Sequence, residues 1–93
     1  MTAAQTGWER LQWIDARLGE IPHGQIFVEE RKGRRTAWRI HKEGGRTVRE
    51  PLGPEGGLDH RRALELLEER RRLSAERKQW WLHFERAAGE RRQ

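Results

Sequence analysis

Two dipeptides near the middle of the chain, Lys32-Gly33 and Gly44-Gly45, constrain the fold more than any other feature of its 93 residues. Each separates two alternating segments by only two positions, the spacing of a tight β-hairpin, and glycine accepts the positive φ such turns need. Residues 24–53 are therefore predicted to form three short antiparallel strands. Gly24 to Arg31 sends Ile26 and Val28 to one side and Gln25, Phe27 and Glu29 to the other. Arg34 to Lys42 places Thr36, Trp38 and Ile40 on one face and Arg35, Ala37, Arg39 and His41 on the opposite one. Arg46 to Leu52 turns Val48 and Leu52 inward and Thr47, Arg49 and Pro51 outward, with Pro51 marking a strand end or an edge. If the large apolar residues face the core, Trp38 and Val48 turn inward and the arginines stay in water.

Helices are expected on both sides of the strands. Thr6-Gly7-Trp8-Glu9 has the pattern of a capping box, and Leu11, Ile14, Leu18 and Ile21 form one apolar stripe, which predicts a helix over 6–19 stopped by Gly19 and Pro22. Asp59 is a candidate N-cap, with Leu58 and Ala63 placed for a hydrophobic staple. Nothing breaks a helix over 59–88, a span of some 45 Å at about 1.5 Å per residue. Leu66, Leu73, Trp80 and Ala87 recur every seven residues, as do Leu11 and Leu18, which suits an antiparallel helix pair or a dimer seam. The expected fold is a single α+β domain over 1–93, ordered α-β-β-β-α, with a three-stranded antiparallel sheet packed on a short N-terminal and a long C-terminal helix. Residues 1–5 and 89–93 are expected to fray.

Composition narrows the function classes. Only 33% of the chain is apolar and mean hydropathy is −1.13, so a small core must lean on five tryptophans, Trp8, Trp13, Trp38, Trp80 and Trp81. The lack of cysteine excludes disulfides, Cys-ligated zinc and thiol chemistry, and fits a reducing compartment. Apolar runs are too short for a membrane span or signal peptide, so a cytoplasmic protein without a membrane partner is expected. There is no Tyr, one Ser (Ser74) and two Asp (Asp15 and Asp59) with local structural explanations, so no nucleophile with a base and an orienting group can be assembled, and neither catalysis nor a cofactor is expected. His23, His41, His60 and His83 lie 18, 19 and 23 residues apart and lack metal-ligand spacing.

Charge gives the positive lead. Residues 24–53 hold eight Lys or Arg against four Asp or Glu, a net of +4, whereas 1–23 come to −1 and 54–93 to +2. Arg35, Arg39 and Arg49, with His41 and Thr47 beside them, are read as one cationic face free of acids, and Arg46 is a further candidate contact. Ordinary solvent-facing arginines that discourage edge pairing would look the same. The functional reading is a platform for nucleic-acid phosphates, which guanidinium forks match. Acids and bases alternate along the last helix, as on a solvated surface. At its end, Trp80, Trp81 and Phe84 could instead contact a protein partner or a second copy, with Trp81 the best placed to be exposed.

The runs Ile21-Pro22-His23-Gly24-Gln25-Ile26, Thr36-Ala37-Trp38-Arg39-Ile40-His41-Lys42-Glu43-Gly44-Gly45-Arg46 and Leu52-Gly53 resemble small uncharacterised prokaryotic proteins of mobile elements. The strand pattern is also similar to the three-stranded arm-binding domain of tyrosine-type integrases, whose sheet lies in the DNA major groove. That resemblance implies that Arg35, Arg39 and Arg49 face duplex DNA. The element order resembles double-stranded RNA-binding domains as well, which would place His60, Arg61 and Arg62 in a phosphate-gripping cluster. Duplex DNA binding without catalysis is the resulting expectation, RNA the weaker branch. The alternative is a phage or mobile-element inhibitor that docks on a host nucleic-acid enzyme through its Trp-rich helix end.

Overall fold

The computed structural model describes residues 3–91 and has the expected order: α1 (Ala3–Glu20), β1 (Gln25–Arg31), β2 (Arg34–Glu43), β3 (Arg46–Pro54) and α2 (Leu58–Arg91). The strands form one antiparallel sheet in the order β1-β2-β3. Helix α1 begins upstream of the capping-box position, because Ala3 to Gln5 are good helix formers and nothing interrupts them. Helix α2 likewise continues beyond Ala88 to Arg91, while the fraying expected at Met1, Thr2, Arg92 and Gln93 lies outside the described residues. The chain divides into two compact units, one of α1 through Ile21 with α2 from Glu69 onward, the other Pro22–Glu68.

The first unit is an antiparallel helical hairpin. Leu11, Ile14, Ile21 and Leu73 are buried, each contributing roughly 1.5–3 kcal/mol through apolar burial. Ion pairs align the helices: Arg10 Nε lies 2.7 Å from Glu76 Oε2, Arg77 Nε 2.5 Å from Asp15 Oδ1 and Arg17 Nε 2.7 Å from Glu69 Oε1. Arg70 donates to the carbonyls of Leu18 and Ile21 at 2.8 and 3.0 Å, satisfying acceptors that the end of α1 leaves open. Near the start of α1, Gly7 lets the indole of Trp80 approach so closely that a Cβ there would sit 2.6 Å from Trp80 Cζ3.

The second unit is the sheet with the first turns of α2. Both hairpins have two-residue turns with positive φ at each position, 51° and 78° at Lys32-Gly33 and 56° and 80° at Gly44-Gly45. Such turns fix the register, pairing Arg31 with Arg34 and Glu43 with Arg46. It follows that Val28 pairs with Ala37, Ile26 with Arg39, Phe27 with Trp38, and Arg49 with Ile40. Ala37, fully buried, shares its face with Ile26 and Val28, and that face meets Ala63, Leu66 and Leu67 of α2. Trp38 and Ile40 lie on the other face, the reverse of the expected parity. A register shift between Ala37 and Trp38 leaves Leu52 unpaired on β3, where it lines the cleft against α2.

At the start of α2, the Gly57 carbonyl accepts the Arg61 amide at 3.0 Å, so Asp59 lies inside the first turn rather than at the cap. Its carboxylate there favours the positive end of the helix dipole. Leu58 is exposed and closes no staple.

Candidate nucleic-acid interface

The register divides the sheet's charge unevenly. The face turned away from α2 carries Arg31, Arg34, Lys42 and Arg49 against Glu29, a net of +3. The face turned toward α2 carries Arg35, Arg39 and Arg46 against Glu30, Glu43 and Glu50, a net of zero. Lys32 in the turn accounts for the remaining charge of the +4 segment.

At the centre of the outer face, Phe27, Trp38 and Pro51 form a row across the three strands, and Gln25, Ile40 and Arg49 form the next. The Arg49 guanidinium lies over both aromatic rings, 4.9 Å from the Trp38 centroid and 5.3 Å from that of Phe27. Its Nη2 donates to Glu29 Oε2 at 2.8 Å, yet the side chain remains 48% exposed. Trp38 is half-buried, with its Nε1 covered. Contacts of a cation with two ring faces stabilise this arrangement by about 0.5–1 kcal/mol at such an exposed site. Within residues 22–68 no helix lies on this face.

The other expected site residues are distributed differently from the sequence reading. Arg39 faces α2, is only 19% exposed and donates to Glu50 through Nε and Nη2, so it is not a free cation on a shared face with Arg49. Arg35 Nε binds Glu55 Oε2 at 2.7 Å, with Glu30 3.7 Å from its Nη1, and the hydrogen bond to Glu55 raises its pKa above the ordinary arginine value. The acid-free face of Arg35, Arg39 and Arg49 therefore does not form: two-residue turns place positions 39 and 49 on opposite sides, and Glu50 lies directly across from Arg39.

His41 also faces the α2 side, nearly buried, 5.6 Å from the His23 ring and with Nε2 3.6 Å from Glu43 Oε2. Arg46 is exposed beside the second turn, on the face of Arg39, and Thr47 is exposed on the face of Arg49. Arg61 and Arg62 are exposed on the first turns of α2. His60 does not join them at the surface, because it is buried and its Nδ1 accepts the Gly56 amide at 2.9 Å. Between sheet and α2, a cleft of about 270 Å³ has Arg39, Glu50, Asp59 and Arg62 on its walls. Two cations and two anions leave it without net charge. Among the described residues no group of three potential metal ligands is present.

The aromatic residues of the hairpin follow expectation only in part. Trp80 is held by Gly7, by stacking on Phe84 and by its Nε1, which donates to Glu76 at 3.0 Å. Phe84 is half-buried, 5.9 Å from Trp8. Trp81 is exposed as expected, edge-on to Trp8 and 5.7 Å from the Arg77 guanidinium. Trp8 and Trp13, read as packing residues, are more exposed than Trp81, at 48% and 49%. Trp13 is instead overlain by Arg10 at 4.6 Å.

Sequence reasoning thus missed Phe27, Trp38, Arg34 and Lys42 as members of one face, although the lengths of the two turns encode the grouping. No helix among the described residues is long and apolar enough to cross a membrane. The chain matches no protein-family model, and no curated protein or solved structure is significantly similar to it.

Proposed function

We propose that this is a non-catalytic nucleic-acid-binding protein of the cytoplasm whose contact surface is the outer face of the sheet. What supports this most is the concentration of charge: four cations against one acid surround Phe27 and Trp38, while the opposite face is neutral. Phosphates would meet Arg31, Arg34 and Lys42 at the two ends of the sheet, and Arg49 would meet the ligand at its centre. Fluorescence anisotropy with labelled oligonucleotides over a series of salt concentrations tests it. Affinity should fall as salt rises, and Arg34→Gln with Lys42→Gln should flatten the slope of log K against log salt by about 0.7–0.9 per lost contact. Arg46→Gln, on the neutral face, should leave both unchanged. Binding that ignores salt, or that survives loss of Arg34 and Lys42 undiminished, overturns the reading.

A second reading rests on the exposed Trp8, Trp13, Trp81 and Leu82 of the helical hairpin. Large exposed apolar side chains often mark protein interfaces, and a mobile-element inhibitor of a host nucleic-acid enzyme would need such a surface. Trp13→Ala with Trp81→Ala would then abolish partner binding or self-association and leave nucleic-acid affinity intact. The opposite pattern returns the argument to the sheet.

A further inference from the structure

We infer that the strand bound on the outer sheet face is unpaired, with a base stacked over Arg49, Trp38 and Phe27; this rests on the nucleic-acid reading of the same face. The inference comes from what stands at the centre of the surface. A duplex presents base edges in its grooves, rows of donors and acceptors that need polar partners once water is displaced. Here the central row is Phe27, Trp38 and Pro51, which offers no side-chain donor because Trp38 Nε1 is covered, and the next row sets Ile40 between Gln25 and Arg49. Arg49 has its Nη2 engaged by Glu29, and its carbon centre sits over the two rings. A guanidinium held in this way is suited to stacking rather than to reading a groove. The flat, apolar face of an unpaired base matches it, because stacking on aromatic rings and on arginine planes requires no hydrogen-bond partners.

The cations are placed to fit. On β2, Arg34 and Lys42 lie four residues before and four after Trp38, about 13 Å away in each direction at roughly 3.3 Å per residue. A single strand running along β2 would meet a cation, then the stacking centre, then a second cation. Glu29 serves to orient Arg49 through the 2.8 Å hydrogen bond to its Nη2, while the other carboxylate oxygen lies 3.2 Å from Arg31 Nε.

The test uses the full chain and three labelled probes of one length: a mixed-sequence single strand, its duplex, and a single strand whose central positions are abasic. The base-bearing single strand should bind about tenfold more tightly than either of the others, the scale expected from stacking one base. Arg49→Lys keeps the charge but loses the planar cation, so it should cost the base-bearing strand about tenfold and leave the salt slope in place. Circular dichroism of Arg49→Lys controls for folding, and Trp38→Phe, which keeps an aromatic ring, gives an independent variant with a smaller loss. A duplex bound as tightly as the single strand, or an abasic strand bound as tightly as the base-bearing one, overturns the inference. If that binding is still lost with Arg34 and Lys42, the nucleic-acid reading itself survives. Absence of salt-sensitive binding to all three probes removes both.

Discussion

In the helical hairpin, Arg10, Arg17 and Arg77 each reach an acid of the facing helix, and Leu11, Ile14, Ile21 and Leu73 are buried between or beside them. In the sheet unit, Ala37 is the one fully buried apolar residue among those described, and two of its largest side chains, Phe27 and Trp38, stand on the outer face beneath Arg49. The hairpin buries these four side chains and joins three of its arginines to acids across its interface, while Trp8, Trp13 and Trp81 stay exposed outside that core. The outer face of the sheet leaves its rings half-covered among four cations and one acid. The buried side chains that contribute most apolar stabilisation thus lie in the hairpin, and the uncompensated charge of the strands lies on one face of the sheet.

The strongest way to break this comparison is to weaken the hairpin. Leu11→Ala or Ile14→Ala should cost about 2–5 kcal/mol, because each removes a fully buried side chain and leaves a cavity. Urea titrations followed by circular dichroism measure it, and a cost near zero would show that the hairpin is not where stability resides. Gly7→Ala comes next. Ala is the better helix former, yet its methyl would meet the Trp80 ring, so the expected result is a loss of about 1–3 kcal/mol despite the gain in propensity. A more stable Gly7→Ala protein would mean that Trp80 can move aside freely.

Within the sheet, a pair of substitutions sharpens the contrast between its faces. Arg39→Gln removes the partner of Glu50 on the α2 side and should lower stability by about 1 kcal/mol or less while leaving nucleic-acid affinity unchanged. Arg49→Gln should lower affinity, with a stability loss of the same modest size, about 1 kcal/mol or less. Equal losses of affinity from both would mean that the two faces are not functionally distinct.

Much of this arrangement is legible in the sequence, and the exception lies in the facing of one strand. Element order and both turns follow from local signals: glycine at turns, alternation in strands and a heptad stripe in α2. The facing of β2 is where side-chain size misleads: size turns Trp38 and Ile40 toward the core, on the side of Ile26 and Val28. A two-residue turn at 32–33 instead obliges partners to sum to 65, which sets Ile26 opposite Arg39 and Phe27 opposite Trp38. The turn at 44–45 likewise sets Arg39 opposite Glu50 and Arg49 opposite Ile40. Turn geometry outranks side-chain size here because positive φ at both positions of each turn suits a two-residue loop, and that loop length fixes the register on which the facing of every side chain depends. The small Ala37 then takes the place beneath α2. What local signals could not reveal is the stacking of Arg49 on two rings from different strands, or the exposure of Trp13, since both depend on contacts between residues distant in sequence.

The smallest effect lies in the acid response of the hairpin. Glu76 has its carboxyl pushed down to about 2 from the ordinary 4.5, chiefly by the hydrogen bond from Arg10, with the Trp80 N–H adding to it and burial opposing. Glu69 is lowered in the same sense, chiefly by its hydrogen bond from Arg17. A carboxyl depressed in the folded state stabilises the fold fully above its unfolded value, and this contribution is lost as pH falls toward the folded value. For Glu76 the window runs from 4.5 down to about 2. Because its side chain is 37% exposed, solvent screening keeps the effect modest. Glu76→Gln should therefore be slightly less stable than the parent at pH 7, and the difference should shrink as pH drops through that window. Urea midpoints of the two proteins at pH 7 and pH 2.5 measure the change. If the curves stay parallel, the Arg10–Glu76 pair does not fasten the helices, and the contrast drawn between closed charges in the hairpin and open charges on the sheet loses its energetic basis.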